Sequence, residues 1–217
     1  MDRSHLQRWV DYAREHRALI LFDAAYVDFL RDDGLPHSIF EIEGADEVAV
    51  EFRSFSKMAG FTGTRCAYTI VPKACRAYDN TGTPISVRDL WIRRQSTKFN
   101  GVSYPVQRAA AAAYTEVGRA QVREATDYYL ANAAHISDAV SSLGYKVAGG
   151  LHSPYVWVNT GQDDWAFFDR LLKEAAVVTT PGSGFGSQGC GFIRISAFNS
   201  RDRVLEAMAR IEQVLVR

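Results

Sequence analysis

Lys57 stands in the segment Ser54-Phe55-Ser56-Lys57, and Arg65 follows eight positions later in the string SFSKMAGFTGTRCAYTIVP. An apolar run from Val48 to Phe52 leads in, and a second from Cys66 to Val71 leads out. A lysine set between two buried strands is costly unless it has a partner or a chemical task. Hydroxyls at Ser54 and Ser56, the glycines Gly60 and Gly63, and the guanidinium of Arg65 compose a phosphate cradle around it. Serine hydroxyls and backbone N–H groups donate to phosphate oxygens, and arginine grips them with paired hydrogen bonds. A lysine whose surroundings lower its basicity can form a Schiff base. A phosphate cradle beside such a lysine suits pyridoxal 5′-phosphate. The plain alternative is a surface lysine just after a strand.

Three further positions invite chemistry. Asp23 closes the apolar run Ala18 to Phe22, and open α/β sheets place ligands at the carboxyl ends of their strands. Capping the next turn is its simpler use. Arg194 interrupts the apolar run Phe192–Ser196, where a lone arginine needs an anion or a structural ion pair. Asn100 precedes Gly101, a pair that forms turns without any ligand. Gly182, Gly184 and Gly186 resemble a dinucleotide-binding loop only loosely, since Pro181 precedes them and no helix pattern follows. The five histidines have no metal-ligand spacing, so no metal site is expected.

The elements that must carry these residues follow from periodicity. Ser4 to Gln7 fits a capping box, with Leu6, Trp9, Val10 and Ala13 at helical spacing to about His16. Ala18 to Phe22 reads as a strand buried on both faces. Ser38 to Glu41 is a second capping box. Val48 to Phe55 and Cys66 to Val71 are strands, and 72–84 is a loop turning at Thr81-Gly82-Thr83. Ser86 to Phe99 is helical, with a basic face (Arg88, Arg93, Arg94) that is solvated or at an interface. Val102 to Leu143 is the longest helical stretch; Gly118 bends or breaks it, and Gly144 stops it. Beyond it come strands at 155–159, 177–180 and 192–198 and helices at 163–175 and 200–215. Three strands alternating with helices in the first part predict a parallel α/β sheet. The expected division is residues 1–120 and 121–217.

Bulk properties exclude several classes. The 217 residues are 47% hydrophobic, enough for a core, and 25 basic side chains balance 25 acidic ones. That balance argues against nucleic-acid and acidic-membrane partners. No apolar run approaches the ~20 residues that span a bilayer. The first residues lead straight into the amphipathic helix, which predicts no secretory signal. Cys66, Cys75 and Cys190 are odd in number and lack metal spacing, as free thiols in a reducing cytosol would be.

Ser-x-x-Lys with an arginine eight residues on resembles the cofactor-lysine motif of the class I/II, fold-type I aminotransferases. FDAAYVDFL (22–30), SIFEIEGADEVAVEFRSFSK (38–57), TKFNGVSYPVQRAAAAAY (97–114) and PGSGFG with GFIRISAF (181–198) are similar, in the same order, to the LL-diaminopimelate group of that family. The resemblance implies an α/β fold comprising the carboxyl-terminal part of a fold-type I enzyme. Residues 1–120 would be the remnant of the cofactor-binding large domain, with a mainly parallel sheet, and 121–217 the small α+β domain. It implies Lys57 as the Schiff-base lysine and proton carrier, and Asp23 as partner of the cofactor's protonated ring nitrogen. Tyr26, otherwise a half-buried aromatic, would hydrogen-bond the phenolic oxygen. Ser54, Ser56 and Arg65 would hold the phosphate, although Ser56 could serve only to shape the turn. Asn100 would bind substrate, and Arg194 the substrate α-carboxylate. The implied reaction moves an amino group between LL-2,6-diaminopimelate and 2-oxoglutarate, giving tetrahydrodipicolinate on the route to lysine. Alternatives are an aminotransferase for aspartate or an aromatic amino acid, and an inactive fragment or half of a split enzyme. The resemblance further implies a cytoplasmic homodimer, or pairing with a separate chain that carries the amino-terminal half.

Overall fold

Asp2 starts the first helix, two residues earlier than Ser4. Its carboxylate accepts the His5 N–H at 2.9 Å and caps α1 (Arg3–Glu15). The Ser4 hydroxyl donates to that same carboxylate at 2.8 Å. Aspartate prevails because it supplies an acceptor and a negative charge at the helix N-terminus together. The computed structural model describes residues 1–216, and the chain divides into units Met1–Arg123 and Glu124–Arg217. Arg217 lies outside the described residues.

In the first unit, α1 buries Leu6, Val10 and Ala13, one stripe at helical spacing. They pack with Ile39, Ile42, Ala45 and Val48. β1 (Ile20–Asp23) turns Ile20 and Phe22 toward this core. Leu21 remains 65% exposed, so the strand is not buried on both faces. The α1 core covers one face of the strand, and successive side chains alternate across it. A 3-10 turn at Ile39–Glu41 carries the capping box read at Ser38. α2 (Ala45–Val48) then leads into β2 (Ala49–Ser54). β2 runs parallel to β1, with Ile20 opposite Ala49 and Asp23 opposite Phe52.

One turn of helix, α3 (Phe55–Met58), follows before β3 (Ala67–Ile70). β3 is antiparallel to β2, from Glu51 opposite Ile70 to Ser54 opposite Ala67. Alternation with helices predicts a parallel strand here. The connection is a helical turn and a reversal at Gly60 (φ 70°) and Arg65 (φ 57°), without the long crossover a parallel return requires. The 72–84 segment is likewise more than a loop. β4 (Arg76–Tyr78) and β5 (Pro84–Ser86) form a hairpin, with the Asp79 carboxylate accepting the N–H groups of Thr81 and Thr83. The Ser86 hydroxyl caps α4 (Val87–Lys98) through the Asp89 N–H.

The long helical stretch is two helices, α5 (Tyr104–Ala112) and α6 (Glu116–Ser142). The break falls at 113–115, ahead of Gly118. A Cβ on Gly118 would lie 2.0 Å from the Ala112 carbonyl oxygen, so glycine there lets the two helices meet closely. A further core joins α3 to α5 through Phe55, Met58, Cys66, Ala110 and Ala113.

In the second unit, β6 (Lys146–Gly149) and β7 (Tyr155–Asn159) form a hairpin. Next come α7 (Asp164–Arg170), a π turn at Leu171–Ala175, β8 (Thr180–Pro181), β9 (Phe192–Ser196) and α8 (Arg201–Leu215). The sheet order is β6-β7-β9-β8, antiparallel throughout. Val156, Val158, Ile193 and Ile195 line one face and pack on residues of the helices, including Ile136, Phe167 and Met208. Residues on the opposite face, Tyr155 and Trp157 from β7 and Arg194 from β9, are turned away from that core.

Candidate active site

Because β1 and β2 are parallel neighbours, their carboxyl ends lie side by side. Asp23 is opposite Phe52, and the Ala24 N–H donates to the Phe52 carbonyl at 2.9 Å. The Asp23 carboxylate accepts the Ala25 N–H at 3.1 Å, which leaves acceptor positions open. β2 ends at Ser54, whose side-chain oxygen caps α3 by accepting the Ser56 N–H at 3.2 Å. An oxygen used as acceptor keeps its own proton for another partner. Lys57 is half-buried on that single turn. Tyr26 is 36% exposed, with its ring 6.3 Å from Phe29.

The loop from α3 to β3 is held internally. Thr62 and Thr64 donate to the carbonyls of Ser56 and Phe61 at 3.1 and 3.0 Å. The Arg65 guanidinium donates to the Thr62 carbonyl at 2.7 Å, with its remaining N–H groups toward solvent. Arg65 takes a left-handed backbone, which costs a non-glycine residue about 1 kcal/mol. A Cβ built on Gly60 or Gly63 meets no atom within 4 Å, and Gly60 takes the positive φ that reverses the chain. Ser54, Ser56, Arg65 and Lys57 thus supply donors, and Asp23 an acceptor, in one unit. That donor set fits pyridoxal 5′-phosphate, which presents a phosphate, an aldehyde and a ring nitrogen.

The structure also shows a charge beneath this region that sequence reasoning missed. Glu51 is fully buried in β2. Its carboxylate accepts the Ser38 hydroxyl at 2.7 Å, the Ile39 N–H at 3.0 Å and Arg53 Nε at 2.5 Å. Arg53 also donates to the His37 carbonyl at 2.6 Å. The available signal was an acidic residue between Val50 and Phe52 in an apolar strand, with a hydroxyl at the Ser38 cap.

Asn100 is placed elsewhere in the same unit. It ends α4 in a left-handed conformation (φ 65°), its N–H donating to the Gln95 carbonyl at 2.7 Å. It borders a cavity of about 790 Å³ with Phe55, Tyr68, Trp91 and Phe99, and Lys57 is not part of that lining. Tyr68 and Tyr114, also at its wall, share a hydrogen bond of 2.9 Å between hydroxyls. Burial pushes the Tyr114 phenol well above its ordinary range.

Arg194 belongs to the second unit. Its guanidinium lies over two rings, 4.2 Å from the Tyr155 centroid and 4.6 Å from that of Phe185. Its Nε is buried and makes no hydrogen bond among the described residues. A buried cationic donor without an acceptor is costly, and the cost is relieved by an anion. This pair of ring contacts was not legible beforehand, because Phe185 comes from a separate loop. Among the described residues no group of three or more His, Cys, Asp or Glu is arranged to hold a metal ion. No helix of the described residues is long and apolar enough to cross a membrane. Cys66 and Cys75 are buried free thiols whose ionisation burial opposes, and Cys190 is exposed.

The family model described as Aminotransferase class I and II matches residues 1–211. The chain is 64% identical over 214 residues to the LL-diaminopimelate aminotransferase of Desulforapulum autotrophicum, covering 98% of this chain and 52% of that protein. It is 56% identical over 216 residues to the LL-diaminopimelate aminotransferase of Methanosphaera stadtmanae, covering 99% and 53%. Among solved structures it is similar to the L,L-diaminopimelate aminotransferase from Chlamydomonas reinhardtii, with a TM-score of 0.91 and 39% identity over 99% of this chain and 52% of that one. The chain therefore spans about half the length of the curated relatives it matches.

Proposed function

The chain belongs to the class I and II aminotransferases, and from that premise we propose that it carries Lys57 and the anion clamps of an LL-diaminopimelate aminotransferase. The reaction is reversible exchange of an amino group between LL-2,6-diaminopimelate and 2-oxoglutarate. The observation that carries the reading is the adjacency of the β1 and β2 carboxyl ends, one bearing Asp23 and the other leading into the Ser54–Lys57 turn.

On this reading Ser54, Ser56 and Arg65 hold the phosphate of pyridoxal 5′-phosphate, Asp23 accepts from the ring nitrogen, and Tyr26 donates to the phenolic oxygen. When bound, the cofactor supplies an electron sink for the carbanion at substrate Cα. The Lys57 amine would take the proton from substrate Cα and carry it onward, a role that needs an uncharged amine in the reacting state. Asp23 would be the acidic partner of the cofactor's ring nitrogen. Arg194, confined by Tyr155 and Phe185, orients the substrate through its α-carboxylate, and Asn100 contacts the rest of the substrate.

Residues 1–120 are then the large-domain portion and 121–217 the small domain of a cytoplasmic enzyme. The working unit pairs with a second copy, or with a chain supplying the remaining half of the relatives' length. Support comes from α4, which has no buried residue and leaves Leu90 and Ile92 exposed at 55% and 48%.

The test is a visible absorption spectrum of the purified chain with added pyridoxal 5′-phosphate, beside Lys57→Ala. A Lys57-dependent band that disappears when LL-diaminopimelate is added is the expected result. No specific band, or one equal in Lys57→Ala, overturns the role of Lys57 in this chain.

A further inference from the structure

The loop between β8 and β9 is fixed by a residue that its neighbouring helix does not need. Asp163 already caps α7, its side chain accepting the Ala166 N–H at 2.8 Å. Asp164, the next residue, is 3% exposed and turns its carboxylate onto the loop instead. Its Oδ2 accepts the Ser183 N–H at 2.7 Å. Groups at both ends of the loop, Ser183 first and Gly191 also, hold this carboxyl below the usual carboxylate range.

Gly191 is tied down from the other side, its carbonyl accepting the Thr160 N–H and hydroxyl, both at 2.9 Å. Within the loop, Gly182 and Gly189 meet backbone to backbone. A Cβ on Gly182 would lie 2.1 Å from the Gly189 oxygen, and one on Gly189 would lie 2.0 Å from the Gly182 oxygen. From this closed ring projects Phe185, half exposed, with its ring 5.1 Å from Trp157 and 4.6 Å from the Arg194 guanidinium.

We propose that Asp164 is a positioning residue for Arg194: by fixing the 182–191 loop it keeps the Phe185 ring on the guanidinium and so strengthens that guanidinium's hold on a carboxylate. The affinity consequence rests on reading Arg194 as the carboxylate clamp. The physical reason is shielding. Two rings, centred 4.2 and 4.6 Å from the guanidinium, shield it from water, and an arginine–carboxylate pair is stronger where water is excluded. The planar guanidinium, held against two rings, also loses less freedom when it engages the planar carboxylate.

The experiment is proton–nitrogen NMR of the Arg194 Nε–H in the full chain, titrated with 2-oxoglutarate. Rings stacked on the guanidinium move this proton upfield, so the shift reports the Phe185 contact without any ligand. Asp164→Ala and Phe185→Leu are expected to lose a similar part of that shift, and the double variant no more than either. Each weakens 2-oxoglutarate about fivefold. Asp164→Asn, which keeps an acceptor for Ser183, stays within about twofold of wild type. Should Asp164→Ala not fold, Ser183→Pro removes the donor while leaving the carboxylate in place, and the same loss is expected. If the shift and the affinity of a folded Asp164→Ala or Ser183→Pro variant match wild type, the positioning role is overturned. A wild-type signal that is ring-shifted but indifferent to 2-oxoglutarate overturns the clamp reading and the affinity consequence with it. The loss of shift in the variants then bears on the loop alone.

Discussion

Glu51 and Arg53 sit two residues apart on one strand, yet they carry the cost of a buried charge together. The glutamate has three donors and no exposure, so replacing it by glutamine keeps the shape and removes the charge opposite Arg53. Breaking one side of such a pair typically costs about 3–5 kcal/mol, because the remaining charge stays buried. Arg53 is 19% exposed in its side chain and reaches some water, which places the expected loss for Glu51→Gln nearer ~2–3 kcal/mol. Urea unfolding measures it, and a midpoint equal to wild type would refute the pair's structural weight. At this scale the sequence marked where the candidate side chains stand along the chain but not what surrounds them. Ser54 and Lys57 could be read together because a strand and a turn keep them adjacent along the chain. The two rings on Arg194 come from positions 155 and 185, and no spacing rule relates those to 194.

Among the elements, Gly118 decides how α5 gives way to α6. A methyl at that position collides with a backbone carbonyl, which cannot rotate aside as a side chain would. Gly118→Ala gains helix propensity of ~1 kcal/mol and loses more by forcing the α5–α6 junction apart. The expected net loss is about 2 kcal/mol, read by thermal or denaturant unfolding. A stabilised Gly118→Ala would show that the junction yields easily. Most helices were legible here because caps and spacing agree: Ser86 opens α4, and Gly144 follows α6 in a left-handed conformation. β4, β5 and β6 were not, since strands of three or four residues carry too little alternation to register. The direction of β3 escaped too, because direction is a property of the connection and not of the strand's own residues.

For the whole molecule, the separate cores matter most. The residues packed around Ile136, Phe167 and Ile193 all belong to the second unit, whereas those around Ile39 and around Phe55 all belong to the first. Among the described residues no buried residue is common to the cores of the two units. Two-state unfolding is an approximation for single cores, so the chain is expected to unfold in more than one step. The first unit divides its apolar residues between two smaller clusters and should yield at lower denaturant. Variants that keep Trp9 and Trp91, or Trp157 and Trp165, separate the two by fluorescence. Coincident transitions in both would argue for one cooperative unit. The division into 1–120 and 121–217 could be proposed from the change of pattern alone, but the length of α6 hides its place, since a continuous helix carries no mark of a boundary.

The contact between Gly182 and Gly189 has a consequence for how this protein can diverge. Each glycine blocks any side chain at the other, so neither position can be explored by single steps, and a paired exchange makes the crowding worse. Gly186 is constrained in a different way, by its backbone (φ 114°). Gly184 alone among the loop's glycines before Cys190 has both open space and an ordinary backbone. A randomised library over 182–189 should therefore return survivors that vary at 184 and keep 182 and 189 unchanged. Whatever selectivity the region acquires would have to be written at that one glycine and at the non-glycine positions around it.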